Sequence, residues 1–151
     1  MKSYHIRLFE YDHWANLRII DALEKLDTPP ERALLLMSHI LNAQMVWFTR
    51  VANDHLVVSP WDLLPISWLK ETAERSFQKW DSLIKDTDEQ EFNKIIKYQN
   101  TTGANFETPL GEILIHLTHH GAYHRGQIIS LLKPMVNPLP ATDYILWLRE
   151  N

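Results

Sequence analysis

Four stretches of this chain repeat apolar residues at three- and four-residue intervals, and prolines or turn-forming residues interrupt the pattern between them. That alternation restricts the chain to helices packed on helices. Ile6, Phe9, Leu17, Ile20 and Leu23 set the stripe of a first helix from Tyr4 to Leu26, and Ala33, Leu36, Ile40, Ala43, Trp47 and Val51 that of a second reaching about Ala52. Leu69, Ala73, Phe77, Trp80 and Ile84 predict a third, ending near Lys85. In a fourth, Leu110, Ile113, Leu114, Leu117, Ile128, Leu131 and Leu132 form the buried face, and Pro134 ends it.

The punctuation adds detail. Thr28-Pro29-Pro30-Glu31 fits a capping box with proline at the first helical position, and Ser67 is the expected cap of the third helix. From Asn53 to Ile66 the turn formers Asn53-Asp54, Ser59-Pro60 and Pro65 indicate a loop, with Trp61 and Leu64 tucked inward. Between Asp86 and Glu107 the helical period fades; Ile95, Ile96 and Tyr98, then a polar turn from Asn100 to Gly103, then Phe106, suggest a short hairpin. Thr108-Pro109 opens the fourth helix, and a last short one runs from about Thr142 to Arg149. Two connections are too long for simple helical hairpins, so the expected fold is an all-α four-helix bundle with at least one crossover, in a single domain spanning 1–151.

Composition narrows the chemistry. An apolar share of 45% with 23% charged residues is ordinary for one globular core, and a net charge of −4 without a basic run disfavours nucleic acid as a partner. The start lacks the apolar segment of a signal peptide, and no stretch approaches the ~20 apolar residues of a membrane span. A cytoplasmic protein with no membrane partner is expected. With no cysteine, disulfides, thiolate ligands and a cysteine nucleophile are excluded, which leaves imidazole and carboxylate as the strong metal ligands.

Half of the eight histidines, His116, His119, His120 and His124, fall within nine residues of the fourth helix. At about 100° per residue, His124 projects within the apolar stripe, His120 lies at its edge, His116 further out and His119 toward solvent. His120 and His124, four residues apart, are therefore the pair best placed to hold one divalent ion. No Glu follows the first candidate ligand, so the built-in base of zinc proteases is missing. A third ligand must come from elsewhere. His5 sits at a terminus, His55 in the loop, and His13 beside Asp12 on a polar stretch, all readable as surface residues; His39 lies on the flank of the second stripe, where an unpartnered imidazole is costly.

Tyr11-Asp12-His13-Trp14-Ala15-Asn16, Ser38-His39-Ile40-Leu41-Asn42-Ala43-Gln44 with Trp47, His120-Gly121-Ala122-Tyr123-His124-Arg125-Gly126-Gln127 and Pro140-Ala141-Thr142-Asp143 together resemble the DinB family over essentially the whole chain. The His-Arg-Gly-Gln element with a histidine four residues before it is the most specific part. This resemblance implies a four-helix bundle of the DinB/YfiT-like kind, a homodimer, and a divalent metal held by His39, His120 and His124. It gives His116 and His119 no ligand role, and leaves Arg125 and Gln127 either acting on a substrate or bracing the helices.

Three neutral imidazoles leave a divalent ion with an open position, the mark of a catalytic rather than a structural site. Zinc is the first choice on ligand type, but nickel, iron, cobalt and manganese also suit such a set. Relatives in the wider superfamily resemble transferases and isomerases that use a low-molecular-weight thiol cosubstrate. A thiol-dependent S-transferase acting on a small electrophile is the leading expectation. A metal-dependent hydrolase, or a non-catalytic dimeric metalloprotein binding a small apolar molecule among some of the six tryptophans, are the alternatives.

Overall fold

A computed structural model describes residues 1–54, 57–100 and 102–151; the expectation for His55 and one position of the 100–103 turn, Thr101, lie outside the described residues. The chain forms α1 (Lys2–Glu24), α2 (Glu31–Ala52), α3 (Ile66–Asp86), a 3-10 turn (Glu89–Asn93), the antiparallel pair β1 (Ile95–Gln99) and β2 (Asn105–Pro109), α4 (Leu110–Leu132) and a short α5 (Tyr144–Glu150). All four long helices and the hairpin fall where the residue pattern places them. The caps do not. Pro30, Pro65 and Pro109 hold the cap positions of α2, α3 and α4, with no side-chain cap bond, so Thr28 and Ser67 are not caps. Proline's fixed φ already suits helix entry, and each of these has an extended ψ (126°, 139° and 143°) that turns the chain into the helix. At the other end of α2, Asn53 adopts φ 53°, a left-handed conformation that asparagine tolerates.

The helices run up, down, down and up. Lys70 of α3 reaches Asp21 and Glu24 near the end of α1, while Lys2 at its start donates to the Lys85 carbonyl near the end of α3, so those two are antiparallel. His5 of α1 lies beside Gly111 at the start of α4, and Arg125 beside Asp12 and Asn16, so α1 and α4 are parallel. α1 and α2 stand on a diagonal, each flanked by α3 and α4. Since α2 and α3 point the same way, the segment 53–65 is the crossover that carries the chain back along the bundle.

Two apolar clusters fill the interior. Ile19, Ile20, Leu23, Leu36, Leu41, Leu69 and Leu132 belong to one; Phe9, Trp80, Ile84, Phe92, Ile113, Leu114 and Leu117 to the other. Between them runs a buried polar layer with a member from every long helix. Arg125 Nη1 donates to Asp12 Oδ1 at 2.6 Å and Asn16 Oδ1 at 2.7 Å; Gln44 Nε2 donates to Asp12 Oδ2 at 2.7 Å, and Ser76 Oγ to Gln44 Oε1 at 2.8 Å. Arg125 is 1% exposed and Asp12 likewise. Gly121 makes room for this layer: a Cβ there would stand 2.6 Å from Asp12 Oδ1 and 2.8 Å from Arg125 Nη1.

Removing one member of a buried ion pair leaves an uncompensated charge in the interior. Asp12→Ala is therefore expected to cost about 3–5 kcal/mol of stability. Asp12→Asn keeps an acceptor and should lose less. Urea denaturation of the two variants checks both; equal and small losses would mean that Arg125 finds other partners.

Candidate metal centre

His39 stands midway along α2, and His120 and His124 face it from α4. One ring nitrogen from each lies within 4.8 Å of one from each of the others. His39 Nε2 and His120 Nε2 are 3.1 Å apart, and the His39 ring meets those of His120 and His124 edge-on at centroid distances of 4.9 and 4.8 Å.

Acceptors behind two of the rings set their proton positions. A carbonyl oxygen can only accept, so His39 Nδ1 carries the hydrogen it donates to the Pro60 carbonyl at 2.8 Å. Likewise His124 Nδ1 donates to Gln127 Oε1 at 2.9 Å. Both imidazoles then present Nε2 with a bare lone pair, the form that ligates a metal when the other nitrogen is held by an acceptor. His120 Nε2 stands 3.1 Å from the bare Nε2 of His39, a spacing that calls for a proton or a cation between them. Neighbouring ligands of a tetrahedral ion at about 2.0–2.1 Å sit roughly 3–3.5 Å apart, so the donor set fits a divalent metal.

Burial favours the neutral form of two of the rings. His120 is pushed down to about 4 from 6.5, first by burial and then by His124, His39 and His116. His39 is also lowered, mainly by burial; its bond to Pro60 opposes this, while His124 and Arg32 add to it. Neutral imidazole is the ligating form.

The crossover covers one side of the site. Besides the Pro60 carbonyl, it stacks the Trp61 indole flat on His39, with centroids 3.6 Å apart and planes 8° from parallel. Asn42 Nδ2 donates to the Asp62 carbonyl, and the Leu64 amide donates to Ser38 Oγ, so Ser38, His39 and Asn42, within little more than one turn of α2, hold the loop down. Trp61 is 48% exposed, so it shields the ring rather than tucking into the core; Leu64 does pack there.

Other expectations for side chains need correction. His124 is half-buried rather than inside the stripe, because Gly121 and Arg125 take the inward positions of that turn. His5 is 2% exposed, stacked on Phe92 at 5.0 Å, not a surface residue. His13 stacks on Phe77 at 4.4 Å and meets Glu74 at 3.2 Å. His119 is exposed and turns back to the Ile115 carbonyl, whereas His116 lies on the rim, 5.6 Å from the rings of His120 and Trp47. Arg125 braces the helices, and Gln127 orients His124. The roles of Asp12 and Pro60 had no signal in the chain order, although Gln127 three residues after His124 did.

Comparison with known proteins places this geometry in context. The chain is 26% identical over 168 aligned positions to Protein DinB of Bacillus subtilis (strain 168), an alignment covering 98% of this chain and 95% of that relative. No solved structure matches. A sequence model of the DinB family matches residues 1–150, and the chain therefore belongs to the DinB family.

Proposed function

We propose that this protein is a divalent-metal-dependent enzyme, with His39, His120 and His124 as ligands, that transfers a low-molecular-weight thiol to a small electrophile. The observation that carries the reading is the pair of prepared tautomers: Pro60 and Gln127 hold the Nδ1 hydrogens, which leaves Nε2 of His39 and His124 free to ligate, within a group of three imidazoles whose nitrogens converge. Bound there, a divalent ion supplies Lewis acidity that keeps a thiol ionised near neutral pH. The chain has no thiol of its own, so the sulfur must arrive with a cosubstrate. The convergent group contains no carboxylate to act as a base on water, which favours the thiol over hydrolysis. Trp61 and Pro60 would keep water from one side of the reacting centre. Zinc is the first choice of metal, with nickel, iron, cobalt and manganese as the others the ligand set accepts.

The second part of the reading is a twofold dimer in the cytoplasm. Trp68, at 60% exposed, is a large apolar residue left outside the core, and symmetric dimers are the commonest assembly. Trp147, by contrast, is covered by its own subunit. No helix among the described residues is long and apolar enough to cross a membrane. Light scattering should return twice the chain mass at micromolar concentration; a monomer mass there would remove the dimer.

Elemental analysis of protein purified without a histidine tag should find one divalent ion per chain. His39→Ala, His120→Ala and His124→Ala should each lose it and retain helical circular dichroism, while Gln127→Ala, which frees only the orienting acceptor, should weaken binding by about 10–100-fold. A thiol-plus-electrophile screen should show turnover only in metal-loaded protein. Activity that survives complete chelation would overturn the reading, and a large fall in melting temperature on chelation with no activity to lose would make the site structural.

Acid should act on the metal-free protein in a defined direction. With His120 near 4 when folded and 6.5 when unfolded, the unfolded chain binds the extra proton between those values, so stability rises with pH across that window. The melting temperature should fall as pH drops from about 6.5 toward 4. His120→Asn should flatten that slope, and an unchanged slope would show that other groups dominate it.

A further inference from the structure

The face between α2 and α4 continues beyond the three imidazoles toward the hairpin. One turn down α4 from His120 comes His116, and its ring meets Trp47 of α2 at 5.6 Å. Trp47 in turn meets Tyr98 of β1 edge-on at 4.7 Å. At the end of this aromatic track lies Arg50. Its guanidinium stands over both rings, 4.6 Å from the Trp47 centroid and 5.0 Å from that of Tyr98, and Nη2 donates to the Gln99 carbonyl at 3.1 Å. His39, Trp47 and Arg50 follow one another down α2 at spacings of eight and three residues, so they share a side of that helix, and Arg50 lies roughly 16 Å along its axis from His39.

Arg50 forms no ion pair with a carboxylate among the described residues. What sets Arg50 apart is its setting: it is half-buried, and its guanidinium packs against two aromatic rings at once. A half-buried guanidinium against two aromatic rings has lost part of its hydration, and a planar anion that accepts two of its hydrogens is the ligand that suits it. From Arg50 and the aromatic track leading to the three imidazoles, we infer that this face of α2 and α4 binds an extended small molecule, with a carboxylate on Arg50 and the reacting sulfur at His39, His120 and His124. One guanidinium matches the single charge of a carboxylate better than the double charge of a phosphate monoester. The inference rests on the proposed function for what happens at the imidazole end, and adds the substrate's other end.

Binding can be read at each end separately. For cobalt-loaded protein, thiolate-to-metal absorption reports ligation by mercaptopropionate, mercaptohexanoate and mercaptoundecanoate, and by mercaptoalcohols of the same lengths. The longest carboxylate alone spans the track, and it should bind at least about tenfold more tightly than its alcohol. Arg50→Gln should erase that preference; Arg50→Lys should keep part of it. Without any metal, phenylbutyrate should shift the indole resonance of Trp47, identified through Trp47→Phe, and phenylbutanol or phenyl phosphate should shift it less. Failure of every thiol to ligate cobalt would count against the proposed function and leave the phenylbutyrate measurement to judge the anion site. Equal binding of carboxylates and alcohols, or a preference untouched by Arg50→Gln in a variant of native circular dichroism, would overturn the inference.

Discussion

The buried contact of Arg125 with Asp12 is the constraint on which the rest of the bundle depends. Apolar stripes alone let helices slide and rotate, since one leucine replaces another with little loss. Charges only 1% exposed have no such freedom: each must meet its partner, and through Asn16, Gln44 and Ser76 the requirement extends to all four long helices. It also decides the rotation of α4. With Arg125 and Gly121 directed at α1, the residues about 100° away on the helix, His120 and His124, must look toward α2. The imidazole cluster is thus positioned by an ion pair that touches none of its rings.

Orientation within the cluster comes from a different source. A neutral imidazole can carry its hydrogen on either nitrogen, and the bundle interior would tolerate both. Pro60 of the crossover and Gln127 one turn along α4 remove that choice for His39 and His124. Burial and the nearby imidazoles lower His120 to about 4, so that ring stays uncharged near neutral pH. One acceptor is local to its histidine and the other is remote, which ties ring geometry to the docking of a loop as well as to the packing of helices.

This division explains what could be read in the chain before its fold was known. Periodicity identifies the helices and ranks His120 and His124 above His116 and His119, because burial on a helix depends on spacing that a sequence displays directly. His5 escapes the same logic: its burial comes from Phe92, far along the chain, stacked over the end of α1. The helix caps were misplaced for a local reason, since proline at the cap position satisfies entry geometry without a side-chain bond, and the neighbouring Thr28 and Ser67 were better-known formers of such bonds. Asp12 looked like one more polar residue on α1. Only the approach of α4, at a position where Gly121 lacks a side chain, turns it into the anchor of the interior.

The parallel arrangement of α2 and α3 has a consequence for the length of the chain joining them. Twenty-two residues make α2 about 33 Å long, and the thirteen residues 53–65 have a full reach of about 43–47 Å. The surplus is taken up late in the span: the Asp62 amide donates to the Ser59 carbonyl, and Pro60 and Leu64 both stand beside residues 38 and 39 of α2. Pro60 lies eight residues beyond Ala52 and His39 thirteen helical residues before it, contours of about 26 and 20 Å, so the chain ahead of Pro60 reaches the imidazole with only about two residues in excess. Tolerance to length change therefore differs on the two sides of Pro60. Removing three residues before it would leave the carbonyl short of His39, whereas the turn after it could absorb a change of length while α3 began where it does.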